Sequence, residues 1–149
     1  MVELLPETAP SVEQVLSVWL SPLGRVGTRR KSGDPIPFRM IKRVAGPDRP
    51  DIASDDPTVS VHTFASSPEA AINESERTHR RMLVLARNPL TEITIPSAIL
   101  GGTGLSGQVV VSVDYCNPRM KPVEVDYEDP GVIRYVARYD VGLSYITAP

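Results

Sequence analysis

Fifteen of the 149 residues are proline, about twice the ordinary share of ~5%. Each proline removes a backbone N–H and interrupts helices and central strands. Long helical bundles and coiled coils are therefore excluded, leaving short elements joined by turns. A chain of 149 residues has the size of one domain. It can bury about 68–70% of its unfolded surface around a core. We read residues 1–149 as a single domain, with an extended lead-in over 1–10 and flexible loops at 29–35 and 97–107.

Hydrophobic periodicity places the elements. Ser11 stands as N-cap of a short helix, with Gln14 three residues on as its capping-box partner. Val12, Val15, Leu16, Trp19 and Leu20 form one apolar stripe at helical spacing, and Pro22 with Gly24 ends it. Residues 25–28 and 37–44 read as strands of a hairpin with a long basic tip around Gly33–Asp34. Residues 45–57 read as a loop, and Thr58–Phe64 as an alternating strand. Ser67–Pro68 then opens a second helix, which Pro89 closes. Its inner face is expected to hold residues 71, 72, 75, 78, 79, 82, 83 and 86. Short strands at 92–95 and 109–115 follow, then a proline-bearing acidic segment over 116–131. Residues 133–145 are expected to be the longest strand, apolar and polar by turns. Helices segregated from a mostly antiparallel sheet make this an α+β fold, with both helices expected on one face of the sheet.

Few groupings point to chemistry. The run GGTGLSG at 101–107 lacks the lysine and the following helix of a phosphate-binding loop, so a surface loop is expected. Ser60 and His62 share a strand face, but no acid or oxyanion donor accompanies them in the sequence. We expect a half-buried strand histidine there, and the same for His79 on its helix. Asp55–Asp56 and the alternating Glu124, Asp126 and Glu128 match no calcium-loop spacing and read as solvated acidic surface. The single cysteine, Cys116, excludes an intramolecular disulfide and a cysteine zinc cage. It has no cation or helix start beside it in sequence to activate its thiol. No enzyme activity, cofactor or metal is expected. The start, MVELLPETAPSVEQ, lacks the basic and apolar regions of a signal peptide. No run approaches the ~18 apolar residues of a membrane span, so no membrane partner is expected.

Charge is distributed unevenly. Sixteen basic and eighteen acidic residues give a net charge of −2, which does not mark a nucleic-acid binder. Eight of those sixteen lie between residues 25 and 49: Arg25, Arg29, Arg30, Lys31, Arg39, Lys42, Arg43 and Arg49. Residues 114–140 are net acidic. Opposed patches of this kind suit head-to-tail association with copies of the same chain or with partners.

Taken in order, SVEQVLSVWL, RVGTRR, PFRMIKRVAGP, DPTVSVHTFASSPEAA and the closing GVIRYVARYDVGLSY make a pattern that resembles the tail terminator proteins of long, non-contractile-tailed (siphovirus-type) bacteriophages. The resemblance covers most of the chain and is weakest at 101–107. It implies a six-membered homo-oligomeric ring on the head-proximal end of the tail tube, which stops polymerisation of tube protein and presents a surface to head-completion (neck) proteins. Genomic DNA would pass through the lumen without sequence-specific binding. The protein would belong to the neck of the virion, and to the host cytoplasm during assembly. Other neck components, head-closure or head–tail adaptor proteins, are the alternative reading; a small enzyme or nucleic-acid module is a more distant one. The expected interface residues are Arg25, Arg29, Arg30 and Lys31 on the basic side, and Glu124, Asp126 and Glu128 on the acidic side.

Overall fold

In the computed structural model, which describes residues 1–96 and 108–147, the chain is α+β. Its elements are β1 (Glu7–Thr8), α1 (Val12–Leu20), β2 (Arg25–Gly27), β3 (Phe38–Ala45), β4 (Asp48–Arg49), β5 (Ser54–Asp55), β6 (Thr58–Ala65), α2 (Pro68–Arg87), β7 (Thr91–Pro96), β8 (Gln108–Val125), β9 (Ile133–Ser144) and β10 (Ile146–Thr147). The expected loop at 97–107, with its GGTGLSG run, lies outside the described residues.

Among the described residues the main sheet runs β2-β3-β6-β9-β5-β4, and β8 pairs with both β7 and β9. Its pairs are antiparallel except β2 with β3. One edge of β9 is shared by β6 and β5, and β8 takes the other. The lead-in is paired too, since β1 joins β10.

Three sequence expectations are corrected here. Residues 25–44 are not a hairpin, because Arg25–Gly27 run parallel to Phe38–Met40. A hairpin folded at Gly33–Asp34 would need ladder donors at once, and Pro35 and Pro37 have none. The ladder starts only at Phe38. The first part of the proline-bearing acidic segment, residues 116–125, continues β8, so β8, at 18 residues, and not the 12-residue β9 is the longest strand among the described residues. Pro118 and Pro122 are accommodated by register shifts at Pro118/Met120 and Met120/Val123. Past Val113 the strand has β9 as its only strand neighbour among the described residues. Bulges and an open edge are the places where a sheet tolerates proline. The 45–57 segment also carries structure, the short pair β4–β5.

One hydrophobic cluster joins both helices to the sheet. Val12, Val15, Leu16 and Leu20 of α1 and Met82 and Leu85 of α2 meet Ile41, Val59, Val61, Tyr139 and Val141. Each such aliphatic side chain contributes roughly 1.5–3 kcal/mol when fully buried. The helices are also tied to each other. Trp19 Nε1 donates to the Arg81 carbonyl at 3.1 Å, and Arg81 Nε donates to the Trp19 carbonyl at 3.0 Å. The Arg81 guanidinium lies 3.5 Å above the Trp19 ring.

Of the inner face expected for α2, Ala71, Ser75, Thr78, His79 and Met82 are buried and Leu85 joins them, whereas Ile72 is 48% exposed. The polar residues on that face have a partner in the sheet. Arg39 of β3 is wholly buried; its Nε donates to Thr78 Oγ1 at 2.7 Å, and its Nη2 is bonded to the Glu74 carboxylate. A charge taken out of water needs such partners, so the polar strip of α2 faces inward at this point.

Candidate functional site

The two expected charge patches meet within one chain. Arg30 donates from Nη1 to Asp129 Oδ2 and to the Tyr127 hydroxyl, each at 3.1 Å, and from Nη2 to the Asp34 carbonyl at 3.0 Å. Its guanidinium lies 5.1 Å from the Phe64 ring centre and 5.8 Å from that of Tyr127. The side chain is only 2% exposed. Ser32 Oγ adds a bond to Asp129 Oδ1 at 3.2 Å. Burial works to lower the Arg30 pKa, but the bonds to Asp129 and Tyr127 outweigh it, so the guanidinium is held above its ordinary value. Arg30 thus docks the 28–35 segment onto residues 126–129 and covers Phe64.

The remaining expected residues stand differently. Arg25, on edge strand β2, and Arg29 and Lys31 beyond it are exposed, and none of the three side chains has an ion pair among the described residues. Glu124, near the end of β8, is exposed, as are Asp126 and Glu128 just beyond the strand. Asp126 uses its carbonyl to accept from Arg134 Nη2 at 2.8 Å. Other members of the basic run are paired within the chain. Arg39 is buried against Glu74, Arg43 grips Asp55 through Nη1 and Nη2 at 2.7 and 2.8 Å, and Arg49 lies 3.5 Å from Asp56. Asp55–Asp56 is therefore not the solvated surface expected. Asp55 is buried, and Asp56 accepts from the Tyr115 hydroxyl at 2.8 Å.

Ser60 and His62 do share a face, and Ser60 Oγ lies 3.0 Å from His62 Nε2. A hydrolytic triad places a carboxylate on the other ring nitrogen. Here His62 Nδ1 is buried without a hydrogen-bond partner among the described residues. Desolvation pushes the His62 pKa down to about 4, with Arg134, Lys42 and Arg138 adding to the effect. A histidine so lowered is neutral near pH 7 and a weak base. His79 is buried and its Nδ1 lies 2.7 Å from the Tyr139 hydroxyl. The Cys116 thiol is buried, and desolvation pushes its pKa up to about 12, with Asp140 adding to the rise. Among the described residues no three His, Cys, Asp or Glu side chains are grouped so as to hold a metal ion.

Sequence reasoning did not single out Lys42 and Arg138. Strand register aligns them on either side of Ser60, as Lys42↔Ser60 and Ser60↔Arg138. Alternation puts all three on the sheet face turned away from α2, because Val59, Val61 and Tyr139 occupy the core face. Neither cation has an ion-pair partner among the described residues. Period-2 reading assigns each residue a face within its own strand; which residues become cross-strand neighbours is decided by long-range register. No protein-family model matches this chain, and no curated protein does.

Proposed function

We propose that the protein is a structural, non-catalytic ring component of the tail terminator type. It closes the head-proximal end of a phage tail tube and presents a surface to the neck. The observation that carries this reading is the sequence pattern itself: helix, basic segment, strand, Ser-Pro helix and closing strand in one order. The structure supplies support of a physical kind. A ring is built from heterologous contacts, which need two different patches on each subunit. Arg25, Arg29 and Lys31 are exposed cations without ion pairs among the described residues, and Glu124 and Glu128 are exposed carboxylates.

Growth of the tail tube tests the reading. Purified tail tube protein of the same virion is polymerised with and without this chain, and the tubes are imaged by electron microscopy. Arrested tubes carrying a six-fold ring at one end are expected. The Arg29→Ser, Lys31→Ser double variant is expected to cap fewer tubes at unchanged thermal stability. Tubes that grow on with no protein at their ends would remove the terminator role. Recovery of the protein on tailless heads rather than headless tails would assign it to the head side of the neck.

A further inference from the structure

Over its middle, the sheet face turned away from α2 holds buried Ser60 and Val136 beside half-buried Met40, Lys42 and Met120 and exposed Arg138. At one end Arg30 and Tyr127 lie over Phe64. In the next rows the register aligns Met40, His62, Val136 and Val123, and then Lys42, Ser60, Arg138 and Met120. Val123 is 44% exposed. Apolar and methionine side chains rimmed by unpaired cations have the composition of a protein interface. His62 Nδ1, buried without a partner among the described residues, is a polar atom of the kind that a second molecule completes.

The outward side of α2 carries acidic groups in its first turns. There Glu69, Ile72 and Glu76 stand at i, i+3 and i+7, ahead of the exposed Arg77, Arg80 and Arg87. Glu69, Ile72 and Glu76 are all exposed, Ile72 by 48%. Neither glutamate forms an ion pair among the described residues. An exposed aliphatic flanked by two carboxylates thus faces away from a sheet whose far side holds apolar side chains flanked by one ammonium and one guanidinium group.

We propose that the outward side of the first turns of α2 of a second copy docks on this sheet face, with Glu69 and Glu76 against Lys42 and Arg138 and Ile72 over Met40 and Val123. The contact is heterologous, so a docked pair keeps one free sheet face and one free helix face, and repetition generates a ring or a filament according to the rotation between copies. The inference rests on the ring reading and deepens it by naming a subunit contact besides the Arg25, Arg29, Lys31 and Glu124, Glu128 patches, and it stands on charge complementarity between these two faces of the chain.

Disulfide trapping tests it. Val123→Cys and Ile72→Cys proteins are mixed in equal amounts and oxidised; the native Cys116 is buried and unreactive in this role. The mixed disulfide is expected to form several-fold faster than either homodimer. Lys42→Glu with Arg138→Glu in the Val123→Cys partner is expected to abolish the preference. Glu69→Lys with Glu76→Lys in the Ile72→Cys partner is expected to abolish it independently, and the two charge reversals together to restore it. Pairing at the random proportion, or no restoration by the double reversal, overturns the proposal. Protection of the Val123→Cys thiol by duplex DNA, lost in Arg138→Glu, also overturns it and assigns the face to a phosphate backbone. Random pairing in a protein that still caps tubes defeats this contact alone. Specific pairing without capping keeps the contact and defeats the terminator role.

Discussion

Arg39 and His62 occupy adjacent rows of the same sheet on opposite faces, and burial treats them differently because their neighbours differ. Desolvation lowers the Arg39 pKa, and the Glu74 carboxylate resists that change. Glu74 in turn is penalised by burial, but its bonds to Arg39 and Arg77 bring its pKa below the ordinary carboxylate value. Desolvation lowers the His62 pKa and the charged groups that act on it, Arg134, Lys42 and Arg138, are all cations, so it stays neutral near pH 7. This has a consequence for stability. The folded-state pKa of His62, about 4, lies below the ordinary 6.5. Between those values the unfolded chain binds the proton and the folded chain does not, so stability rises with pH. The contribution is complete above pH 6.5 and is lost as pH falls from 6.5 through 4. Urea midpoints measured from pH 7 to pH 4 should fall for the wild type. They should fall less for His62→Gln, with His79, whose pKa is also lowered by burial, keeping part of the slope. Parallel curves for the two proteins would show that His62 is not desolvated as described. The Ser60–His62 neighbourhood was legible from alternation. The orphaned Nδ1 was not, since it depends on which side chains of β3 and β9 close over the ring.

Each helix begins at a serine, and the two serines do different work. Ser67 accepts from the Ala70 N–H at 3.1 Å with Pro68 in the first turn. Ser11 has the extended backbone of an N-cap but its side chain makes no capping bond, so the serine half of the expected capping box is not formed. The Ser67→Ala variant should cost about 1 kcal/mol of stability, and Ser11→Ala distinctly less. Chemical denaturation of the two variants checks the difference, and equal losses would contradict it. Helix positions and ends were readable because caps, prolines and periodicity act over a few residues. Strand β8 was not read to its true length because proline is a local stop signal, and whether it stops a strand depends on the edge it occupies. Pro118 and Pro122 sit where the sheet asks for no donor. Thr78 was legible as an inner-face residue of α2, but its partner was not, because Arg39 lies 39 residues away in sequence.

At the scale of the molecule, the basic and acidic segments are partly consumed by each other. Arg30 is buried between Asp129, Tyr127 and Phe64, so it stabilises the fold rather than serving a partner, unlike the exposed Arg29 and Lys31 beside it. Arg30→Ser should lose on the order of 2 kcal/mol, as expected for hydrogen bonds from a charged group. Single Arg29→Ser and Lys31→Ser changes should stay within about 0.5 kcal/mol. Thermal melts of the three variants distinguish them, and a loss spread evenly over all three would contradict the docking of this segment. What the sequence determined by itself is the short-range layer: α+β class, both helices, most strands and the uneven charge. These follow from proline, capping and periodicity, which need no more than a turn or two of chain. Only the tertiary structure decided that residues 25–27 run parallel to β3, that Arg39 and Arg30 are internal, and that Lys42 and Arg138 flank Ser60. Those outcomes rest on register and burial between segments far apart in the chain, where the partner of a charge is set by packing rather than by its neighbours in sequence.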